Sequence, residues 1–320
     1  MSCVYVVLPH HQGQLDAVSF ELIAAARPLG DVHAVVVSDN HLGEQLFSTL
    51  SQAGVSRTID VHCPDYAARV ILPEVDAVSQ LAAATPGPIV TAATVDGNEI
   101  AGRLAARLGS GVLCDVTAIG PDGTATMSIL GDSYQVSAAV GGACPIYTVR
   151  PGVTVIDDAA TDGELVAVEI GARGGLDVAV TGFTPAAPLE RPDLTQAKVV
   201  VAGGRGVGSR EGFTTLCEPL ADVFGGAVGA TRDAADDDFY DRTYQIGQTG
   251  VTCAPDLYIG LGISGAIQHK AGMQTSRTIV AINNDEEAPI FDICDFGVVG
   301  DVHTVVPQLI EQLQAAKGTS

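Results

Sequence analysis

Tryptophan is absent from the 320 residues, and Phe, Tyr and Trp together supply only 5% of them, so Ala, Val, Leu and Ile must fill whatever core the chain builds. Positive charge is also scarce. Sixteen Lys and Arg stand against 38 Asp and Glu, a formal net charge of −22. Such a chain lacks the basic surface that nucleic-acid backbones require, and anionic lipid would repel it. The acidic surplus reads as a solvated surface that keeps the protein soluble, or more pointedly as a field that steers a basic partner. No C-x-x-C occurs: the seven cysteines (Cys3, Cys63, Cys114, Cys144, Cys217, Cys253, Cys294) are scattered singly. Their odd number and wide spacing exclude a disulfide framework and argue against zinc or iron–sulfur sites. No apolar run approaches the ~20 residues of a membrane helix. The opening "MSCVYVVLPHHQGQLD" carries no basic leader and reads as a first strand. Together these absences predict a soluble, cytoplasmic protein.

What is present is an α/β pattern, and the length suggests two domains of ordinary size. In the first half, Val4–Leu8, Val32–Val37 and Ile89–Ala93 read as strands; Leu15–Arg27, Leu42–Ala53, Ala67–Ala84 and Asn98–Leu108 read as helices. That alternation predicts a mostly parallel sheet covered on both faces. After Gly109 come strand-like pieces separated by Gly, Pro and Asp (Val112–Ile119, Thr124–Leu130, Tyr134–Val140, Pro145–Val149), which predict an antiparallel extension of the same domain. "TGFTPAAPLERPDLTQ", 181 to 196, carries three prolines and little periodicity and marks the boundary. The expected domains are 1–190 and 191–320. The second restarts with a strand at Val199–Ala202, a helix from about Arg210 to Phe224, strands at Leu257–Leu261 and Thr278–Ile282, and a closing helix at Val302–Leu313. It has the size and pattern of a doubly wound domain.

Four stretches of this second domain carry polar or glycine-rich strand ends. "VVVAGGRGVGSREGF" (199–213) sets glycines between a strand and a helix, where backbone can approach an anion closely. The dinucleotide fingerprint G-x-G-x-x-G would need Gly at 204, 206 and 209; Ser209 breaks it. An ordinary tight turn explains the loop equally well, and Arg205 tips the balance towards a phosphate. "GATRDAADDDFYDRTYQIGQTG" (229–250) contributes Arg232 and a Gly247–Gly250 turn; its aspartates have no EF-hand spacing and read as a solvated loop. "LYIGLGISGAIQHKAGM" (257–273) repeats the strand, small residues, helix pattern, with Gln268 and His269 about one helical turn on. A lone histidine is usually structural, but this one falls at the carboxyl edge of the sheet, where open α/β sheets bind ligands. "VAINND" (280–285) ends a further strand at Asn283, an amide suited to a ribose or base. No nucleophile–base pair accompanies these ends. The pattern suits holding a cofactor; an NAD-linked dehydrogenase and a non-redox nucleotide-binding module are the alternatives from other classes, and the broken fingerprint and missing acid–base pair disfavour the first.

The same residues resemble the α subunit of electron-transfer flavoproteins. "GGRG" (203–206), "VGATR" (228–232), "QIGQTG" (245–250), "APDLYIGLGISGAIQHKAGM" (254–273), "IVAINNDEEAPIF" (279–291), "DFGVVGD" (295–301) and "VVPQL" (305–309) stand in that family's order and spacing. The first half matches more loosely, at "GRLAARLGSGVLCDVT" (102–117) and "TVRPG" (148–152). The resemblance implies an electron carrier, not an enzyme with its own substrate, holding FAD on the second domain and paired with a β subunit that carries AMP. It would take electrons from flavin-dependent dehydrogenases, such as the acyl-CoA dehydrogenases of fatty acid β-oxidation, and pass them towards a quinone reductase. By the family's pattern Arg205, Ser264, Gly265, Ala266, Ile267, Gln268, His269, Asn283, Asp301 and Val302 line the FAD, with His269 donating to the pyrimidine edge of the ring. Ile246, Gly247, Gln248 and Thr249 border the isoalloxazine, the Thr249 hydroxyl near N5, and Arg232 lies against the ring. Thr231 stands where serine is usual and keeps the hydroxyl.

Overall fold

A computed structural model describes residues 3–11, 14–130, 133–157, 159–172, 174–175, 177–182, 184 and 191–317. The chain divides into two compact units, Met1–Pro185 and Ala186–Ser320. Part of the proline-bearing stretch expected to mark the boundary, 183 and 185–190, lies outside the described residues.

The first unit runs β1 (Cys3–Val7), a short hairpin of β2 (His10–His11) and β3 (Gln14–Leu15), α1 (Val18–Ala26), β4 (Asp31–Ser38), α2 (Glu44–Gln52), β5 (Arg57–His62), α3 (Leu72–Ala84), β6 (Ile89–Ala92), α4 (Val95–Leu108), β7 (Val112–Ile119), β8 (Ala125–Ile129), β9 (Tyr134–Ala138), β10 (Ile146–Val149) and β11 (Glu164–Glu169). Its main sheet has the order β11-β5-β4-β1-β6-β10-β7-β8-β9. From β11 to β7 every pairing is parallel. Only β8 and β9 run antiparallel, so the expected extension is smaller than the sequence suggests. β10 does not extend the meander: it returns to lie between β6 and β7, parallel to both. β5 and β11 escape a reading by apolar runs. β5 buries the polar Thr58 and Asp60, and β11 alternates exposed and half-buried residues as an edge strand does. α4 begins at Val95, three residues before the expected Asn98, because the Thr94 hydroxyl caps it by accepting from Gly97 N.

The second unit is a five-stranded parallel sheet in the order β13-β12-β14-β15-β16, built from β12 (Val199–Gly203), β13 (Ala227–Ala230), β14 (Leu257–Leu261), β15 (Ile279–Asn283) and β16 (Phe296–Val299). The chain leaves β12 for β13 on one side and returns to β14 on the other, so the topological switch point lies between β12 and β14. One face carries α5 (Arg210–Gly212), a π-turn (Phe213–Cys217), α6 (Glu218–Phe224) and α9 (Val302–Lys317), packed through Phe213, Leu220, Val302 and Val306. α7 (Arg232–Asp236) follows β13, and α8 (Ile267–Lys270) is a single turn after β14. The opposite face is closed mainly by loops, through Leu194, Ile246, Cys253, Ile263, Met273 and Ile290. Glycine and proline in the segments after β13 and β14 keep them from forming long helices. No helix among the described residues is long and apolar enough to cross a membrane.

The π-turn begins where Gly203 meets the ring of Phe213, and a Cβ at Gly203 would lie 2.5 Å from Phe213 Cζ and 3.0 Å from Cys217 Sγ. Both neighbours are fully buried, so Gly203→Ala should cost about 1–3 kcal/mol in urea unfolding through overpacking. Gly102→Ala, on α4 with nothing within 4 Å, should be stabilising by a few tenths of a kcal/mol to about 1. Equal effects of the two substitutions would show that contact at Gly203 is not limiting.

Candidate functional site

The carboxyl ends of β12 and β14 touch backbone to backbone. Gly204 N donates to Leu261 O (2.9 Å), Gly206 N to Gly262 O (3.1 Å), and Gly262 N to Ile282 O (2.8 Å). A Cβ at Gly204 would stand 2.3 Å from Gly262 O, and one at Gly206 2.7 Å from Gly262 Cα. Gly262 itself has φ +61°, the left-handed region. The small residues therefore serve the frame first: they let two strand ends meet, and the meeting opens a cleft beyond them.

That cleft is a cavity of about 730 Å³, the size of a cofactor pocket. Arg205, Thr231, Arg232, Ile246, Gly247, Gln248, Thr249, Ser264, Ala266, Gln268, His269 and Asn283 all line it, so the structure brings most of the sequence-predicted residues to one place. Four of the expected residues do not. Gly265 (φ +86°) is buried against Ile290, where a Cβ would come 2.3 Å from the backbone nitrogen. Ile267 is largely exposed at the start of α8 and is not part of the lining. Asp301 is exposed and accepts from His303 N (2.9 Å) at the start of α9, and the Val302 side chain is buried in the core under that helix.

Among the residues that do line the cavity, several spend their polar atoms on the frame. Thr231 caps α7, its hydroxyl accepting from Ala234 N (3.3 Å). Asn283 donates through Nδ2 to Ile263 O (2.8 Å) and accepts at Oδ1 from Asp285 N (3.0 Å), tying β15 to the loop after β14. The clearest case is His269. It is 6% exposed; its Nδ1 lies 3.1 Å from Ile246 O and its Nε2 2.7 Å from the Tyr258 hydroxyl. A carbonyl can only accept, so Nδ1 carries the proton and Nε2 accepts from Tyr258. Neither nitrogen is left to donate to a ligand, which corrects the expected hydrogen bond to a ring edge. Burial pushes the His269 pKa down to about 4, against the smaller opposing effect of the bond to Ile246 O, and the imidazole is neutral. Its work is to pin the 246–250 turn to β14. Sequence reasoning missed Tyr258; the signal available was a polar-tipped aromatic on a strand otherwise made of aliphatic and glycine residues.

The cavity wall is left with backbone groups, the exposed Gln248, Thr249, Ser264 and Gln268, and two guanidinium groups. Gln245 Nε2 donates to Thr249 Oγ1 (3.0 Å), and Gln248 N donates to Gln268 O (2.8 Å), joining the turn to α8. Arg205 pairs with Asp233 and Arg232 with Asp236, each through Nε at 3.3 Å. These pairs are exposed and worth little individually, so either guanidinium can exchange its carboxylate for a phosphate or an anionic ring at small cost. A glycine-lined cleft with backbone close at hand, two cations and a hydroxyl suits a large anionic cofactor such as a flavin dinucleotide.

Comparison with known proteins agrees with this geometry. Residues 193–274 match the family description "Electron transfer flavoprotein FAD-binding domain", and residues 4–172 match "Electron transfer flavoprotein domain". The chain is 48% identical over 319 residues to the electron transfer flavoprotein subunit alpha of Mycobacterium leprae, covering 99% of this chain and all of the relative. It is 49% identical over the same span and coverage to the subunit alpha of Mycobacterium tuberculosis. A third relative, the subunit alpha of Paracoccus denitrificans, is 40% identical over 293 residues, 91% of this chain and 93% of its own length.

The neutral His269 generates a pH signature. The unfolded imidazole titrates near ~6.5, the folded one at about 4. Between those values the unfolded chain binds more protons, so the stability His269 contributes is complete above pH 6.5 and falls as the pH drops towards 4, by at most about 3 kcal/mol. Denaturant unfolding of wild type and His269→Gln between pH 7.5 and 4.5 should therefore show wild type losing its advantage as the pH falls. A gap that stays constant across the range would mean the imidazole is not held neutral.

Proposed function

The chain belongs to the electron transfer flavoprotein α-subunit family, and on that premise we propose that it holds one FAD in the cleft between β12 and β14. It takes electrons from flavin-dependent dehydrogenases, acyl-CoA dehydrogenases among them, and passes them towards a quinone reductase. The observation that carries this reading is the convergence of glycine strand ends, two exposed guanidinium groups and the 246–250 turn on one cavity. Bound FAD supplies the redox chemistry. The chain's own part is to position and to set charge. Arg205 and the backbone N–H groups of the loop at 263–266 receive the pyrophosphate. Arg232 supplies positive charge beside the ring, and the Thr249 hydroxyl, oriented by Gln245, meets the ring at N5. No side chain of the cleft needs to act as nucleophile or base, and the chain works as a carrier without turnover of a substrate of its own.

The partner in this reading is a β subunit carrying AMP, and the complex works in the cytoplasm. The cleft is bounded by one unit's strand ends and loops, which leaves a large planar ligand open to solvent unless a second chain covers it. The antiparallel edge of the first unit also exposes Ile129, Leu130, Tyr134 and Val136, apolar surface of the kind that partner chains cover. Expressed without a β subunit, the purified chain should lose FAD on dialysis; co-expressed, it should retain one FAD per heterodimer. Retention of a full complement by the chain alone would remove the requirement for a partner.

Arg232→Ala should lower the two-electron reduction potential of the bound flavin while leaving FAD content nearly unchanged. A unit charge at ~4 Å contributes about 4 kcal/mol at an effective dielectric near 20, a ceiling on the order of 90 mV for two electrons. The exposed pairing of Arg232 with Asp236 screens that charge, so tens of millivolts are expected. Arg232→Lys should recover part of the shift, since an ammonium cannot lie flat against a ring. A spectroelectrochemical titration of flavin-loaded complexes decides it. An unchanged potential in a fully loaded Ala variant takes Arg232 away from the ring.

A further inference from the structure

The first unit has its own topological switch point, between β1 and β6, and a cavity of about 360 Å³ lies at the carboxyl ends of those two strands. It is independent of the flavin reading and is built from different residues. Its walls are apolar where Leu8, Pro9, Val18, Ala92 and Val95 line it, and its polar side chains are His10, Tyr66, Thr91, Thr94 and the three carboxylates Asp16, Glu74 and Asp96. His10 Nε2 lies 2.8 Å from Val37 O, so in the neutral ring Nε2 carries the proton and Nδ1 presents a lone pair. The His10 ring is stacked on Tyr66, centroids 5.9 Å apart. Tyr66 in turn donates its hydroxyl to Glu74 Oε1 (2.9 Å). The second carboxylate oxygen, Glu74 Oε2, and His10 Nδ1 are both buried and have no hydrogen-bond partner among the described residues. Buried acceptors left in that state are costly, and both belong to residues that line the cavity.

The surroundings define the donor. Among the described residues no Lys or Arg lines the cavity, and Asp16 and Asp96 add two further carboxylates, Asp96 at the start of α4. The free N–H groups of that helix do not invite an anion, because Thr94 already caps Gly97 N and Asp96 occupies the first turn. Arg69, the nearest guanidinium acting on Glu74, is buried and committed to Asp76, Asp177 and Gly171 O. No group of three potential metal ligands occurs among the described residues. We infer that this cavity binds a small organic cation, an ammonium or amidinium on an apolar body, whose N–H groups donate to Glu74 Oε2 and His10 Nδ1.

The electrostatics agree. Burial raises the Glu74 pKa to about 7, and the charge of Asp96 adds to it; its own backbone N–H, the Tyr66 hydroxyl and the Arg69 charge act the other way. His10 and Asp16 are the other ionisable groups of the lining. A bound cation would favour the ionised carboxylate, so binding is coupled to loss of the Glu74 proton. An open groove of about 850 Å³, lined by Asn40, His41, Leu42 and Leu46, shares His10 and Tyr66 with the cavity.

The test uses the full chain in its flavin-loaded complex, titrated calorimetrically with benzamidine, which is cationic throughout the range, and with benzyl alcohol as an uncharged body of similar shape. At pH 8, benzamidinium should bind once per chain, and benzyl alcohol should bind at least ~10-fold more weakly. Glu74→Gln and His10→Phe, the latter keeping the stack on Tyr66, should each weaken benzamidinium at least ~10-fold with flavin content unchanged. In wild type, which needs no variant to fold, binding at pH 6 should release close to one proton, read from buffers of different ionisation heat, and at pH 8.5 almost none. Equal affinity for the two probes, undiminished binding in both variants, or no proton release at pH 6 would each overturn the assignment.

Discussion

Everything in the second unit depends on one steric condition: the backbones after β12 and β14 must touch. Gly204 and Gly206 reach within hydrogen-bonding distance of Leu261 O and Gly262 O, and any side chain at 204, 206 or 262 would collide with main chain, which cannot yield. Once those strand ends are joined, the loops that follow are forced apart, and the space between them becomes the cleft. The fold supplies the location, because the switch point is where successive connections diverge. The glycines supply the access.

The layer beneath the cleft is polar but closed. His269, Tyr258, Asn283 and Thr231 satisfy one another or nearby backbone, so the turn at 246–250, the loop at 262–266 and the start of α7 are tied to strand ends by hydrogen bonds that a ligand does not need to supply. The groups that face the cavity are more exposed and more loosely held. A rigid polar foundation under an adaptable surface is a workable arrangement for a carrier, since the foundation keeps the site's shape whether or not anything is bound.

The alternating strands and helices of the sequence predicted two α/β units and a parallel second sheet, and the glycine strand ends located the cleft. What could not be read there has physical causes. β5 and β11 were missed because one buries Thr58 and Asp60 and the other is an exposed edge, so neither shows an apolar run. The position of β10 depends on which neighbour a returning strand chooses, a long-range decision with no local signal. His269 lines the cavity, but spacing only locates a side chain along the chain, and packing alone reveals that Tyr258, eleven residues earlier, holds its second nitrogen. Asn283 likewise lines the cavity while its amide is engaged once at each end, by Ile263 O and Asp285 N. Residue type indicated polarity correctly and direction poorly.

The ion pairs at the mouth of the cleft have a kinetic and entropic side. Arg205 and Arg232 are long, rotamer-rich side chains, and an unrestrained guanidinium surrenders much of that freedom when it grips a ligand. Asp233 and Asp236, on the same short helix, already hold each at 3.3 Å, so part of the ordering is complete before anything arrives. An incoming anion then exchanges one carboxylate for another acceptor instead of freezing a free arm. The same carboxylates set a toll on every departure and arrival that depends on salt, because screening loosens the waiting partner as well as the bound one. Two exposed aspartates that contribute almost nothing to folding thus act on how readily the cleft is filled and emptied.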